Sequence, residues 1–188
     1  DFDDTFENTR KIFDSICDMP ENTMTLVVFS MSKSYTMCGM RCGALVCLGE
    51  TQEAADEFKA AMSYSSRSVW SNVIRIAQKV LVDINTNPEM KAQVDQERQV
   101  FRDLITKRGE TFYQESRRIG LKCCPYKHGY FIAIPCKYPA KAAEYLSEEN
   151  VYVVPQAQGL RFSPCAVTTE KCLRAPAIIK RAIDRSEE

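Results

Sequence analysis

Residues 30–43 combine the side-chain types that bind a phosphate group and capture an aldehyde. The segment reads Ser-Met-Ser-Lys-Ser-Tyr-Thr-Met-Cys-Gly-Met-Arg-Cys-Gly. The hydroxyls of Ser30 and Ser32 can donate to phosphate oxygens, and the planar guanidinium of Arg41 can bind the same oxygens through two N–H groups. A lysine amine that is held near another cation and partly desolvated is more readily neutral, and a neutral amine such as that of Lys33 forms an imine with an aldehyde. The segment is therefore a candidate site for a phosphorylated, electrophilic ligand.

Two apolar runs border this segment and place it beside a sheet. Residues 24–29 are branched and apolar, which is typical of a buried strand, and residues 43–48 form a second run of this kind. Since α/β sheets hold their ligand sites at strand ends, this position favours a binding role. Taken residue by residue, a polar loop with a solvated lysine and arginine fits the same composition.

Helix signals follow the second run. Thr51 is of the N-cap type, and the helix after it has an apolar face made of Ala54, Ala55, Phe58, Ala61 and Met62. A second helix is predicted from the spacing of Val69, Val73, Ile76, Ala77, Val80, Leu81 and Ile84. Asn87 and Pro88 supply a cap and a first-turn proline for a long helix that Gly120 ends. Its expected inward positions are Met90, Val94, Phe101, Leu104, Ile105 and Phe112.

The pattern changes after residue 120. Short strands alternate with helices, the strands at 129–134, 151–154 and 160–164 and the helices at about 139–147 and 169–184. Pro176 is expected to kink or split the last helix, because proline lacks the N–H that the helix needs.

These elements predict an α/β fold in two parts with a boundary near residue 88. Residues 1–87 have the pattern of the last part of a parallel α/β domain. Residues 88–188 have the pattern of a smaller α/β domain that begins with the long helix.

Composition argues against several classes of protein. Lys plus Arg and Asp plus Glu both number 25, which is unlike a broad nucleic-acid surface. No apolar run approaches the ~18 residues that span a bilayer. The nine cysteines form no C-x-x-C pair and there is one histidine, so we expect neither a metal site nor a disulfide framework. Reduced thiols, and an acidic start without an apolar leader, predict a cytoplasmic protein.

The motif S-x-S-K-x-x-x-x-x-G-x-R-x-G, from Ser30 to Gly43, resembles the lysine motif of class I and II aminotransferases, which are pyridoxal-phosphate enzymes of fold type I. The resemblance implies that Lys33 is the catalytic residue and holds the cofactor as an imine. It also implies that Ser30, Ser32 and Arg41 bind the cofactor together with Lys33. The implied fold is the C-terminal part of the cofactor-binding large domain, 1–87, followed by the small domain, 88–188.

Two further arginines stand where the resemblance, closest to the aspartate and aromatic aminotransferase branch, expects substrate-binding residues. Arg161 lies in the run Gly-Leu-Arg-Phe-Ser, and the family uses an arginine in such a context to bind the substrate α-carboxylate. Arg67 lies in Ser-Arg-Ser-Val-Trp-Ser-Asn, where the branch has an arginine that reaches the neighbouring subunit's site and binds a distal carboxylate. The family's two prolines are replaced here by Val73 and Ile74, and the alternative for Arg67 is an exposed loop residue.

The resemblance implies transfer of an amino group between an amino acid and a 2-oxo acid, with aspartate, glutamate or an aromatic amino acid as the donor. It also implies a homodimer with shared active sites. The family's cofactor-binding aspartate and tyrosine would precede Asp1, so we expect a C-terminal fragment that is inactive by itself. Alternatives on the same scaffold are a β-lyase, an amino-acid decarboxylase, or a non-enzymatic regulator with an aminotransferase-like domain. An interaction module without cofactor is a further alternative.

Overall fold

The computed structural model of the protein describes residues 11, 13–16, 20 and 22–188. The chain divides into two units, the first ending at Arg98 and the second comprising Gln99–Glu188. Both units mix helices with strands, as the sequence predicts. The division falls within one long helix.

The described part of the first unit contains two strands, β1 (Thr25–Ser30) and β2 (Gly43–Leu48). Both apolar runs are therefore confirmed as strands. They pair antiparallel, in a register that sets Thr25 opposite Leu48 and Ser30 opposite Gly43. The prediction of a parallel pattern is wrong for this pair, because the connection between the strands holds no helix long enough for a crossover and the chain reverses directly.

The sheet of the first unit leaves large apolar side chains exposed. Val28 and Leu45 are cross-strand partners, and Leu26 lies on the same face two residues before Val28. Val28 is 76% exposed, and Leu26 and Leu45 are nearly half exposed. The described side chains of this unit that are buried are Met31, Ala77 and Ile84.

Between Met31 and Thr86 the structure describes four helical segments of the first unit. They are α1 (Met31–Ser34), a 3-10 turn (Cys38–Met40), α2 (Gln52–Val69) and α3 (Arg75–Thr86). The Thr51 cap is confirmed, since Thr51 Oγ1 accepts a hydrogen bond of 3.2 Å from the Ala54 N–H. The predicted helix that contains both Val69 and Val73 is wrong. Ser71 adopts a φ of 69° between α2 and α3, and this left-handed backbone breaks the helical path.

The long helix α4 (Pro88–Ile119) begins and ends where the sequence predicts. Asn87 Oδ1 accepts hydrogen bonds from the Glu89 and Met90 N–H groups at 3.0 and 3.1 Å. Gly120, with a φ of 72°, follows its last residue.

The inward face predicted for α4 is only partly correct. Ile105 and Phe112 are buried, and Val94 is half-buried. Met90, Phe101 and Leu104 are exposed in the described chain. The first half of α4 is instead bordered by charged pairs along its surface, Lys91 with Asp95 and Asp95 with Arg98, and such pairs stabilise a solvated helix face.

The second unit packs two helices on a three-stranded sheet. The strands β3 (Ile132–Pro135), β4 (Val154–Gln156) and β5 (Gly159–Phe162) lie in the order β3-β5-β4, and both pairings are antiparallel. The helices are α5 (Pro139–Glu148) and α6 (Thr169–Glu187), with a 3-10 turn at Pro164–Ala166. All three predicted strands exist, with bounds shifted by up to three residues.

The core of the second unit joins the end of α4 to the sheet. The Phe112 ring stacks on the Phe162 ring with 4.1 Å between centroids. The other buried core residues come from β3, β5, α5, α6 and the loops beside them, namely Leu121, Ile132, Ile134, Cys136, Ala142, Leu146, Leu160, Cys172, Ala175, Ile179 and Ala182.

Pro176 does not split the last helix. It lies fully buried inside α6, which continues to Glu187. Proline removes a single N–H donor from the ladder, and the burial of Cys172, Ile179 and Ala182 on the same helix offsets that loss.

The described cysteines are all free thiols. Burial raises the pKa of the Cys172 thiol to about 11 and raises that of Cys123 above its ordinary value, so both stay neutral at pH 7. Across residues 22–188, no three His, Cys, Asp or Glu side chains are grouped so that they could hold a metal ion. None of the helices described is both long and apolar enough to cross a membrane.

Phe112→Ala should lower the free energy of unfolding of the second unit by about 3–5 kcal/mol, because it removes a fully buried ring and leaves a cavity beside Phe162. The same substitution at Phe101 is the control, since Phe101 lies on the same helix and is 52% exposed. It should change stability by no more than about 0.5 kcal/mol. Urea unfolding of the two variants measures this difference, and equal losses would contradict the core described above.

Candidate active site

The connection between β1 and β2, together with the strand residue on each side of it, forms the segment 30–43, which is closed at its base and which we call the lysine turn. Ser30 is the strand partner of Gly43, and the Met31 N–H donates to the Cys42 carbonyl at 3.1 Å. The Met31 side chain is fully buried beneath this closure. This hydrogen bond joins Met31 to Cys42. Lys33 therefore lies two residues after Met31, and Arg41 lies one residue before Cys42.

Ser30 caps the N-terminus of α1, and its hydroxyl can still donate a hydrogen bond to a ligand. Its Oγ accepts a hydrogen bond of 3.2 Å from the Ser32 N–H, and its carbonyl accepts one of 2.5 Å from the Ser34 hydroxyl. An oxygen that accepts from an N–H still has its own O–H to donate. Ser32 and Lys33 lie on α1, where Lys33 is exposed and Ser32 is half-buried.

Arg41 adopts a left-handed backbone that turns its side chain back on the turn. Its φ and ψ are 49° and 41°, and its Nη1 donates to the Cys38 carbonyl at 2.8 Å. This conformation costs a non-glycine residue about 1–2 kcal/mol. Thr36, in the same turn, has a φ of 54°. Strained residues of this kind concentrate at ligand sites, where surrounding contacts hold them.

The two glycines of the motif differ in their structural roles. A side chain at Gly43 would collide with the Phe29 carbonyl oxygen on the neighbouring strand, so the close approach of β1 and β2 requires glycine there. Gly39 has open space where a Cβ would lie. The space around each residue therefore explains why glycine is needed at position 43. Within the described chain it gives no reason for glycine at position 39.

Arg67 lies in the last turn of α2 and is exposed. Its Nη1 donates to the Ser71 hydroxyl at 2.7 Å and to the Ser71 carbonyl at 3.3 Å. Both bonds fold the side chain onto the strained connection that follows α2. The described hydrogen bonds of Arg67 thus tie it to its own connection and not to the lysine turn.

Arg161 belongs to the second unit, where it is the third residue of the central strand β5. Its neighbours across the sheet are Ala133 on β3 and Val154 on β4. The guanidinium carbon lies 4.4 Å from the centre of the Phe131 ring, a cation–π arrangement that leaves the planar N–H edge available for a carboxylate. The side chain is half-buried.

Sequence reasoning missed two aromatic residues beside these groups. Phe131 stacks on Arg161, and Tyr35, two residues after Lys33, contacts Arg98 and Phe29. The available signal for Tyr35 is an aromatic residue inside an otherwise polar turn. Phe131 carries no comparable signal, because an apolar residue before a strand is ordinary.

A groove of about 560 Å³ lies between β2 and α2, lined by residues that include Leu45, Phe58 and Met62. None of the candidate cofactor-binding residues lines it. Its walls mix apolar side chains with Gln52, Asp56, Lys59, Ser63 and Ser66, and no arginine stands among the described residues that line it. We therefore place the candidate site at the lysine turn and not in this groove.

The donor set of the lysine turn fits a phosphorylated aldehyde in its chemistry. The amine of Lys33, the guanidinium of Arg41 and the hydroxyls of Ser30 and Ser32 belong to one stretch of twelve residues. A backbone hydrogen bond closes the turn that holds this stretch. The hydroxyls and the guanidinium suit phosphate oxygens, and the amine suits the aldehyde carbon. Ser30, Ser32, Lys33 and Arg41 all lie in this one turn, whereas Arg67 and Arg161 lie on separate elements.

Comparison with known proteins finds relatives of this chain. The family model of aminotransferase class I and II matches residues 3–179. An aminotransferase from Anaerococcus prevotii is 31% identical, with a TM-score of 0.87, and the match covers 95% of this chain and 43% of that one. A mutant of the Thermus thermophilus aspartate aminotransferase is 26% identical, with a TM-score of 0.63, covering 84% of this chain and 43% of that one.

A more distant match shows the shared fold alone. The aromatic-amino-acid aminotransferase from Burkholderia pseudomallei, solved covalently bound to pyridoxal phosphate, is 20% identical with a TM-score of 0.66. That match covers 94% of this chain and 43% of that one. The chain thus spans less than half the length of these solved relatives. No curated protein sequence matches it.

Proposed function

Because the chain belongs to the class I and II aminotransferase family, we propose that the protein is a pyridoxal-phosphate-dependent aminotransferase whose chemistry centres on Lys33. The observation that carries this proposal is the closed lysine turn, which gathers an amine, a guanidinium and two hydroxyls at one end of a strand pair. When bound, pyridoxal phosphate supplies an aldehyde that captures an amine and a conjugated ring that accepts electrons.

The four candidate residues of the turn divide between two roles. The Ser30 and Ser32 hydroxyls and the Arg41 guanidinium bind the phosphate through charge-assisted hydrogen bonds. Lys33 would hold the cofactor through its Nζ atom, and the free amine would take up at Nζ the proton that leaves the substrate α-carbon. Lys33 is exposed on α1 and not desolvated as the sequence led us to expect, and its amine is therefore reachable by a second molecule.

The substrates are an amino acid and a 2-oxo acid, with Arg161 binding the α-carboxylate that both share. Arg67 binds a second carboxylate, which favours aspartate or glutamate over neutral amino acids. An aromatic amino acid is the other candidate donor. In this proposal the protein is a cytoplasmic homodimer with shared sites, in which residues 1–87 belong to the cofactor-binding domain and residues 88–188 to the small domain.

Lys33→Ala in the complete protein should abolish both transamination and cofactor attachment, because no other amine replaces Nζ in the turn. Borohydride treatment with pyridoxal phosphate, followed by peptide mass spectrometry, should locate the label on Lys33 in the unaltered protein. Lys79→Ala is the control, since Lys79 is an exposed lysine of the same unit that pairs with Asp83. Oxo-acid formation without release of ammonia or CO2 distinguishes an aminotransferase from a lyase or decarboxylase. Retained activity in Lys33→Ala would show that Lys33 is misassigned.

Arg161→Leu should raise KM and lower kcat/KM for every amino acid tested, because the α-carboxylate is common to all of them. A hydrogen-bonded charge pair contributes about 1.5–3 kcal/mol, which corresponds to a loss of about ten- to a hundredfold in kcat/KM. Steady-state kinetics on three or more amino acids measure this. Arg174→Leu, at an exposed arginine of α6, is the control. If KM and kcat/KM of Arg161→Leu equalled those of the control, Arg161 would not be a substrate-binding residue.

Arg67→Ala should reduce kcat/KM selectively for dicarboxylic substrates, because only these have a second carboxylate for the guanidinium. The ratio of aspartate to alanine or phenylalanine activity is the measurement. Arg75→Ala, at the first residue of α3, is a matched arginine of the same unit. An equal loss across all substrates would contradict the distal role of Arg67.

A further inference from the structure

The aromatic ring of Tyr35 links the lysine turn to three other elements of the first unit. It meets the Phe29 ring of β1 edge-on, with 6.4 Å between centroids and 77° between planes. The Arg98 guanidinium of α4 lies 5.3 Å from its centre. The Asn85 side chain of α3 points its Nδ2 at the Tyr35 hydroxyl at 3.4 Å.

The backbone of Tyr35 closes the helical turn that carries Lys33. Tyr35 is the residue that ends α1, and its N–H donates to the Met31 carbonyl at 3.2 Å. The Met37 N–H donates to the same carbonyl at 3.2 Å, and the Thr36 N–H donates to the Lys33 carbonyl at 3.4 Å. The ring of Tyr35 and the geometry of Lys33 are therefore connected through one short run of backbone.

A helix as short as α1 does not hold its shape unaided. It has four residues, and a single turn fixes many backbone angles for very few hydrogen bonds. Side-chain hydrogen bonds in the turn join neighbours within it: Ser34 to Ser30, Thr36 to Tyr35, and Arg41 to Cys38. The Tyr35 contacts instead reach across 50 or more residues of sequence to α3 and α4.

The cation on the Tyr35 ring is itself held in place. Arg98 Nη1 lies 3.2 Å from Asp95 Oδ1, one turn earlier on α4. The pKa of Asp95 lies below its usual range, chiefly because Lys91 donates a hydrogen bond to it, with Arg98 adding to the effect. Asp95 is therefore ionised at neutral pH and fixes the guanidinium that covers the ring.

We propose that Tyr35 is a positioning residue for Lys33, holding α1 against β1, α3 and α4 so that the amine meets the cofactor aldehyde in one orientation. The proposal rests on the function proposed above. The ring carries this role rather than the hydroxyl, because 3.4 Å is at the long end for a hydrogen bond whereas the ring makes two defined contacts. Tyr35→Phe should therefore preserve the positioning of Lys33, and Tyr35→Leu should not.

Hydrogen exchange of the Tyr35 and Met37 amides in the complete protein, without added cofactor, tests the anchoring itself. Tyr35→Leu should speed exchange of both amides by about tenfold, the factor expected from losing one aromatic and one cation–π contact. Tyr35→Phe should leave it unchanged. Tyr64→Leu is the control, because Tyr64 is 79% exposed on α2. Equal exchange in Tyr35→Leu and the control would overturn the anchoring.

Borohydride trapping of pyridoxal phosphate on Lys33 tests the positioning role. At limiting cofactor, Tyr35→Leu should lower both the labelled fraction and kcat about tenfold, and Tyr35→Phe should restore both to within about twofold. Arg98→Met should lower labelling less. The labelled fraction of the double variant Tyr35→Leu with Arg98→Met should be no lower than that of Tyr35→Leu alone, since the two residues share one contact.

The two readouts separate the possible failures. Faster exchange with unchanged labelling would mean that Tyr35 anchors the turn without positioning Lys33, which overturns the proposal. Absence of label on Lys33 in the unaltered protein would overturn the proposed function and, with it, the positioning role, whatever the exchange data show. Failure of Tyr35→Phe to restore labelling would assign the role to the hydroxyl and overturn the assignment to the ring.

Discussion

A single backbone hydrogen bond, from the Met31 N–H to the Cys42 carbonyl, is the constraint on which the candidate site depends. It extends the β1–β2 ladder by one step past the last strand pair and closes the twelve-residue connection at its base. The Met31 side chain, at one side of this closure, is fully buried. This bond fixes the two ends of the connection. Arg41 lies next to one of these ends, and the fixed ends help to hold its left-handed backbone conformation.

The two units use different physical means to orient their cationic residues. In the first unit, hydrogen bonds to backbone and hydroxyl oxygens fix Arg41 and Arg67, each within four residues of sequence. In the second unit, a central strand with a neighbour on each side sets the backbone of Arg161, and an aromatic ring sets the plane of its side chain. A stacked guanidinium loses one face to the ring and keeps its in-plane donors, which suits a planar, two-oxygen ligand.

Local signals made the helix ends and the lysine motif predictable from the sequence. Thr51, Asn87 and Gly120 act through bonds or backbone angles within a few residues, so their roles follow from residue type. The antiparallel pairing of β1 and β2 follows from their short connection. The continuity of α6 through Pro176 and the exposure of Phe101, by contrast, depend on which elements meet, and no local pattern encodes that. Tyr35 belongs to this second group, because Asn85 and Arg98 lie far along the chain.

The exposed apolar face of the β1–β2 pair has a consequence for handling this chain in solution. Val28, Leu26 and Leu45 present branched side chains to water, and each of the two described strands has one hydrogen-bonded neighbour. A strand edge with unsatisfied amides beside an apolar surface is a template for pairing with another molecule. By these principles, the tendency of the chain to associate should rise with protein concentration and depend little on ionic strength.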